Sequence, residues 1–450
     1  MSLIEDTFWL SESQARASVE QGGGSTPLYV YSESALELSA RSMLNFPAAF
    51  GLTVRFAIKA CPSAAVLRLF LSLGLSFDAS SGFEVQRAIA AGIPAAKISL
   101  STQELPVDDK ELVRFVTLGV QINACSLKQI ERLGHVIKQT KLAKESLYNI
   151  GLRFNPGVGS GSTAYKTNVG GPHSSFGIWH ESAQEALILA SSLGLCIVRI
   201  HTHIGSGSDP SVWQRCAELT LAIARRFPNV HTVNLGGGYK VSRVKGEKHT
   251  KPSLIGEPVQ AAFEAFALEP EIAYNESNGK GGGGRKLTLE IEPGTYLVAN
   301  AGCIISTVID IVSTPVHSFI KLDTGMTEIL RPSLYGAQHP LHLLLPKESD
   351  KKQERLPLQN YVVVGHCCES GDLLTCAPGD SETLVEREMP RVETGDLIAI
   401  GGAGAYCSSM STKNYNSFPE AAEVMLRKDG STRLIRRRQT LEQIIQNEIQ

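Results

Sequence analysis

No stretch of the chain reaches the ~18–20 consecutive apolar residues a helix needs to span a bilayer, so no membrane-spanning segment is expected. Positive charge is not in excess either. The 43 Lys+Arg stand against 45 Asp+Glu, a formal charge of −2, which argues against holding nucleic acid through a basic surface. The amino terminus, MSLIEDTFWLSESQ, carries Glu5 and Asp6 early. It lacks the basic-then-apolar order of a secretion signal and the Arg-rich, acid-poor character of a transit peptide. The nine cysteines are scattered and show no CxxC or zinc-type spacing. Reduced thiols and a cytoplasmic location are the expectation.

What is present is enough for a sizeable core. The 450 residues are 42% hydrophobic and 20% charged, a length that suits two domains or one large barrel with an attachment. From Leu28-Tyr-Val-Tyr31 to about residue 300, short β-branched or apolar runs alternate with helical patterns. Thr53–Ile58, Ser76–Asp78, Lys97–Leu100, Gly119–Ile122, Asn149–Phe154, Cys196–Ile200, Thr232–Leu235 and Leu287–Ile291 read as strands, and Ala64–Leu71 and Phe83–Ala91 as helices. Such alternation predicts a parallel sheet. Eight or so units over ~250 residues predict a (β/α)8 barrel in preference to an open sheet.

Beyond residue 300 the strands Cys303–Val312, Ser318–Leu322, Tyr361–Val364 and Asp396–Ile400 follow one another without long helices. Ala421–Leu426 and Ser431–Ile435 flank Arg427-Lys-Asp-Gly430, a sequence suited to a tight hairpin. The expected organisation is therefore a barrel over 36–300 and a β-rich domain built from 1–35 plus 301–450. The four glycines Gly281–Gly284, beside Lys280 and Arg285, read as a surface loop rather than a phosphate cradle.

In a parallel barrel, function gathers at the carboxyl ends of the strands. Lys59 ends the first strong strand in an apolar frame, which disfavours its ammonium form and suits an amine nucleophile, although a lysine there also snorkels to solvent readily. His201 and His203 end another strand. An HxH there opens many metal-hydrolase ligand sets, but the later strand ends supply no further His or Asp ligands, so no metal is expected. Gly236, Gly237 and Gly238 follow a strand directly and offer backbone N–H groups to a phosphate, or form a plain tight turn. Glu290 and Glu292 alternate and so share a face. A carboxylate in the barrel mouth needs a partner, and a protonated ring nitrogen would serve.

The ordered motifs Phe56-Ala-Ile-Lys-Ala60, His203-Ile-Gly-Ser206, Asn234-Leu-Gly-Gly-Gly238, Glu292-Pro-Gly294, Asp323-Thr-Gly-Met326, Arg331-Pro-Ser-Leu-Tyr335, Cys368-Glu-Ser-Gly-Asp372 and Gly404-Ala-Tyr406 resemble those of diaminopimelate decarboxylases. These belong to the alanine-racemase-like barrel group, with ornithine decarboxylase as a cousin. The resemblance runs from about residue 28 to 436 and implies pyridoxal 5'-phosphate as cofactor, with Lys59 as its covalent attachment point. It further implies His203 on the ring face, Glu292 at the ring nitrogen and Asp78 as an acidic residue nearby. Ser206, Gly236, Gly237, Gly238 and Tyr406 fall at phosphate-binding positions. Arg331, Tyr335, Glu369 and Tyr406 fall at substrate positions, and Cys368 at that of a catalytic proton donor. Cys368 and Glu369 are implied to come from the partner in a homodimer.

The implied reaction is decarboxylation of meso-2,6-diaminopimelate to L-lysine. One departure bears on it: Thr295 follows Glu-Pro-Gly where the group carries arginine, and Arg153 is a candidate to compensate. That departure motivates the alternative of a same-fold decarboxylase for another diamino or basic amino acid, such as carboxynorspermidine, D-lysine or D-ornithine. A non-catalytic carrier of the cofactor is the alternative from another class. The segment near 160–177 is a candidate lid.

Overall fold

A computed structural model describes residues 8–140, 148–158, 170–205, 207–269, 285–345 and 357–449. The Gly281–Gly284 loop, most of the 160–177 segment and Ser206 lie outside the described residues. The chain divides into two compact units, Ser39–Lys240 with Lys248–Gly294, and Met1–Leu38 with Val241–Glu247 and Thr295–Gln450.

The first unit is the parallel barrel read from the βα alternation. Its strands are Leu52–Ala57, Ser76–Ala79, Ile98–Ser101, Gln121–Ala124, Tyr148–Asn155, Leu195–Thr202, Thr232–Asn234 and Thr288–Ile291. Each pairs in parallel with its neighbour, and the last pairs with the first, Leu289 opposite Leu52, which closes the sheet. Several outer helices start where the sequence provides caps. Ser81 accepts the Glu84 amide, Ser126 the Gln129 amide and Asp209 the Ser211 amide, each satisfying a donor that the first turn leaves without an intrahelical partner.

Part of the barrel interior is polar. Arg55, Arg199 and Glu290 project inward from three strands, and the two guanidiniums meet the one carboxylate at 2.7 and 2.9 Å. All three side chains are under a tenth exposed. Such a cluster is tolerated only because the ions pair.

The second unit is an antiparallel-rich sheet in which Leu28–Ser32 lies between Gly302–Ser313 and Ala422–Leu426. The early strand thus joins the β-rich part of the chain, through an antiparallel and a parallel pairing. Its core gathers Leu28, Val30, Cys303, Ile305, Ala399 and Val424. The Arg427–Gly430 turn closes as the hairpin its Asp-Gly suggests, with the Arg427 amide donating to Ser431 O at 2.8 Å. Among the described residues no helix is long and apolar enough to cross a membrane, and none of the nine cysteines forms a disulfide.

Candidate active site

Strand ends of the barrel unit surround a cavity of about 420 Å3 lined by Lys59, Asp78, Ser101, Arg153, Phe176, His201, His203 and Glu292 among others. Lys59 sits in the short 3-10 turn Ile58–Ala60 that follows the Leu52–Ala57 strand. Ile58 and Ala60 anchor that turn in the core, while Lys59 is exposed. The apolar frame expected around Lys59 is confined to those two neighbours. The charged end instead has the carboxyls of Asp78 and Glu84 close enough to feel it, because the helix starting at Gly82 follows directly on the Ser76–Ala79 strand.

Glu292 lies just past the Thr288–Ile291 strand and is buried. Asn234 Nδ2 donates to its Oε1 at 2.6 Å, and His201 Nε2 stands 3.3 Å from its Oε2. Burial would raise this carboxyl, but His201 first, and the Arg153 guanidinium with it, outweigh that and hold Glu292 below the usual carboxylate range. Asp78 has the opposite fate. Burial and then the Glu292 charge push it well above the usual range, against Lys59 and the 2.9 Å hydrogen bond from Ser99. Two carboxyls of one cavity are thus driven apart, one ionised and one inclined to keep its proton.

His203 Nδ1 accepts the Gly237 amide at 3.2 Å, which puts the ring proton on Nε2. Burial, then Arg153 and Lys59, lower its pKa well below the ordinary value, so it is a neutral, flat side chain. The glycine turn is shaped by contacts that a side chain would destroy. A Cβ on Gly237 would meet Glu292 O at 2.3 Å, and Gly236 has φ +71°. Two of the three glycine amides are engaged internally, Gly236 by Asn234 Oδ1 at 2.8 Å and Gly237 by His203.

The remaining sequence-derived residues belong to the β-rich unit. Arg331 and Tyr335 bracket the helical turn Arg331–Tyr335. Arg331 Nη1 lies 2.9 Å from His339 Nε2, and the Tyr335 hydroxyl 4.0 Å from Met410 Sδ. Tyr406 has φ +55°, a strained conformation for a residue with a Cβ. Cys368 is exposed while Cys367 is buried. The Cys368 amide donates to Asn416 Oδ1, and Glu369 accepts the Gly371 amide at 3.1 Å. Asp372 anchors the loop by accepting the amides of Met326 at 2.7 Å and Cys367 at 2.9 Å.

These residues fit a pyridoxal cofactor on grounds of their own chemistry. The cavity offers a lysine amine, a buried ionised carboxylate and a neutral ring, and a glycine turn without side chains lies against His203 and Glu292. The family model for the pyridoxal-binding domain of pyridoxal-dependent decarboxylases matches residues 37–299. Diaminopimelate decarboxylase of Streptomyces coelicolor is 32% identical over 97% of this chain and 91% of its own length. The chain belongs to the diaminopimelate decarboxylase family. The Escherichia coli K12 member is 32% identical, covering 99% of this chain and 98% of its own. A crystal structure of diaminopimelate decarboxylase superposes with a TM-score of 0.84 at 31% identity, covering 99% and 98% of the two chains. As a member of this family the chain is a pyridoxal-phosphate-dependent amino-acid decarboxylase with a barrel and a second, mostly β domain.

Sequence reasoning missed three of the residues that shape this cavity. His201 had been weighed only as a metal ligand, and it stands against Glu292. Asn234, noted as part of a motif, holds the Glu292 carboxylate. Phe176 lies under the Arg153 guanidinium at 5.0 Å from its ring centre. The HxH spacing was the available signal for His201; nothing local marks Asn234 or Phe176.

Proposed function

We propose that the protein decarboxylates meso-2,6-diaminopimelate, releasing CO2 and L-lysine, as the last step of lysine synthesis. The observation that carries the reading is Glu292, held ionised in the same cavity as the Lys59 amine. The full-length likeness to diaminopimelate decarboxylases supports this substrate over other diamino or basic amino acids. A mere carrier would need neither Cys368 nor Arg331.

In this reading Lys59 would hold the cofactor covalently, Glu292 would bind its ring nitrogen and His203 its ring, with Asp78 as a further acidic group. Gly236, Gly237, Gly238, Ser206 and Tyr406 hold the phosphate. A pyridoxal group bound there supplies an electron sink for the pair left at Cα when CO2 departs. The chain's own work is to keep that sink effective and to direct the proton. Glu292 stays anionic because Asn234 and His201 engage its two oxygens, and an anion there favours a protonated ring nitrogen. His203, being neutral, adds no charge to the face it covers.

Arg331, Tyr335, Tyr406 and Glu369 orient the substrate, a planar guanidinium being suited to both oxygens of a carboxylate. The Cys368 thiol returns a proton to the vacated carbon and regains one from solvent. We further propose a cytoplasmic homodimer in which Cys368 and Glu369 are supplied across the subunit interface. Nine cysteines without a disulfide support the compartment.

The test is incubation of the pyridoxal-phosphate-loaded protein with meso-diaminopimelate, reading lysine and CO2 together. Stoichiometric release of both is expected. Preference for a substrate without a distal carboxylate would overturn the choice of substrate. Absence of a pyridoxyl adduct on the Lys59 peptide after borohydride reduction would overturn the enzyme.

A further inference from the structure

Among the described residues, Arg243 has no carboxylate within ion-pair distance. It lies in the Val241–Glu247 segment of the β-rich unit and is buried. Its Nε donates to the Gly402 carbonyl at 2.9 Å, while its Nη2 is buried without a partner. The one carboxylate close in sequence, Glu247, accepts the Arg243 backbone amide at 2.7 Å instead of the guanidinium. Room for the arginine stem comes from Gly402, where a Cβ would meet Arg243 Cγ and Cδ at 2.8 Å.

The charge beside Arg243 is another arginine. Burial, then Arg331, push the Arg243 guanidinium down to about 9. Arg331 in turn leans on His339, whose Nδ1 faces the Gly401 carbonyl at 2.9 Å. A carbonyl only accepts, so Nδ1 carries the ring proton and Nε2 receives the Arg331 donor. Burial, then Arg331 and Arg243, keep this imidazole neutral by lowering its pKa well below the ordinary value. Among the described residues, neither guanidinium has a carboxylate within ion-pair distance. Two adjacent guanidiniums, one of them buried, are costly unless an anion joins them.

We propose that Arg243 is a substrate-binding residue: together with Arg331 it receives the distal carboxylate of a dicarboxylic amino acid and sets the preference for that class. The proposal rests on the substrate reading given above. A carboxylate has two oxygens for two guanidiniums and cancels the repulsion between them. A monocarboxylic amino acid of the same length whose carboxylate is at the reacting end leaves both cations unmatched, which is how a site built for a polar group rejects an analogue that lacks it.

The test is steady-state decarboxylation of meso-diaminopimelate by the loaded enzyme, with D-lysine, which keeps the reacting end but lacks the distal carboxylate, as inhibitor. Arg243→Met is expected to raise KM about tenfold or more while kcat and the D-lysine inhibition constant stay within about two- to threefold. Arg243→Lys, which keeps charge but loses the fork, should fall between. If the methionine variant fails to fold, the lysine variant is judged by the same split between KM and the D-lysine constant. An unchanged KM, or a KM and a D-lysine constant that rise in parallel, overturns the role of Arg243. A wild-type enzyme that makes no lysine overturns the substrate reading, and this proposal with it; an active wild type beside an indifferent Arg243→Met overturns this proposal alone.

Discussion

The Asn234 side chain ties Glu292 to the glycine turn: its Nδ2 donates to Glu292 Oε1 at 2.6 Å, and its Oδ1 accepts the Gly236 amide at 2.8 Å. The main chain repeats the link, since the Glu292 amide donates to Gly236 O at 2.8 Å. Two places proposed for opposite ends of one cofactor are therefore fixed relative to each other by the Asn234 side chain and this main-chain bond.

Asn234→Ala should loosen both. A hydrogen bond to a charged group is worth about 1.5–3 kcal/mol, so the dissociation constant for pyridoxal phosphate should rise at least about tenfold. Equilibrium dialysis against the cofactor measures this, with the melting temperature of the cofactor-free protein as control. An unchanged constant would remove Asn234 from the site.

Inside the barrel, Glu290 is the anion that Arg55 and Arg199 share. Glu290→Gln leaves two buried guanidiniums facing a neutral amide. Removing one partner of a buried ion cluster costs about 3–5 kcal/mol, and urea unfolding should show a loss of that order. Adding Arg55→Met to Glu290→Gln should recover part of it, because one of the stranded charges is gone. A Glu290→Gln variant as stable as the wild type would mean that the cluster contributes no net stabilisation.

The barrel was legible because its signal is local. Each strand is a short apolar run bounded by turns, and several helices repeat their apolar positions and begin at a capping residue. Lys59, His203 and Glu292 were legible for a related reason, since they stand at strand ends, where a parallel barrel collects its chemistry. The Arg55–Glu290–Arg199 cluster was not. Its members lie up to 235 positions apart, and their meeting depends on the register of strands around a closed sheet. The same holds for Arg243, whose Nε reaches the carbonyl of Gly402 across 159 positions. The environment of Lys59 was misjudged for a subtler reason. Its sequence neighbours are apolar, but the carboxyls near it come from a different strand and helix.

Glu328 makes stability depend on pH. It is buried, accepts from Thr324 at 3.0 Å and Thr327 at 2.7 Å, and Thr327 also reaches His366 Nε2 at 2.7 Å. Burial pushes the carboxyl up to about 7, against the hydrogen bonds that favour its charged form. The folded state therefore holds this proton more tightly than the unfolded chain does. The stabilisation is complete below the unfolded value near 4.5 and is lost as pH rises through about 7. At ~1.4 kcal/mol for each unit of difference, the loss between pH 4.5 and 8 approaches about 3 kcal/mol. Glu328→Gln should be less sensitive over this range, and urea unfolding at several pH values compares the two. Parallel pH profiles would show that Glu328 does not titrate in the window.

The proposed homodimer makes a demand that single variants cannot meet. Lys59→Ala removes the amine that holds the cofactor, and Cys368→Ala removes the thiol that returns the proton, so each homodimer should lose most activity. Suppose Cys368 of the partner subunit completes the site that contains Lys59. A mixed dimer then assembles one site with both defects and one with neither, and regains up to half the wild-type activity per dimer. If both residues come from one chain, every site of the mixed dimer carries one defect and nothing returns. Co-expression with two affinity tags isolates the mixed dimer, and lysine release from meso-diaminopimelate reads the outcome. The exposed position of Cys368, on a loop that Asp372 anchors through the amides of Met326 and Cys367, is what the shared-site arrangement requires. Inactive mixed dimers of verified composition would assign both residues to the same subunit.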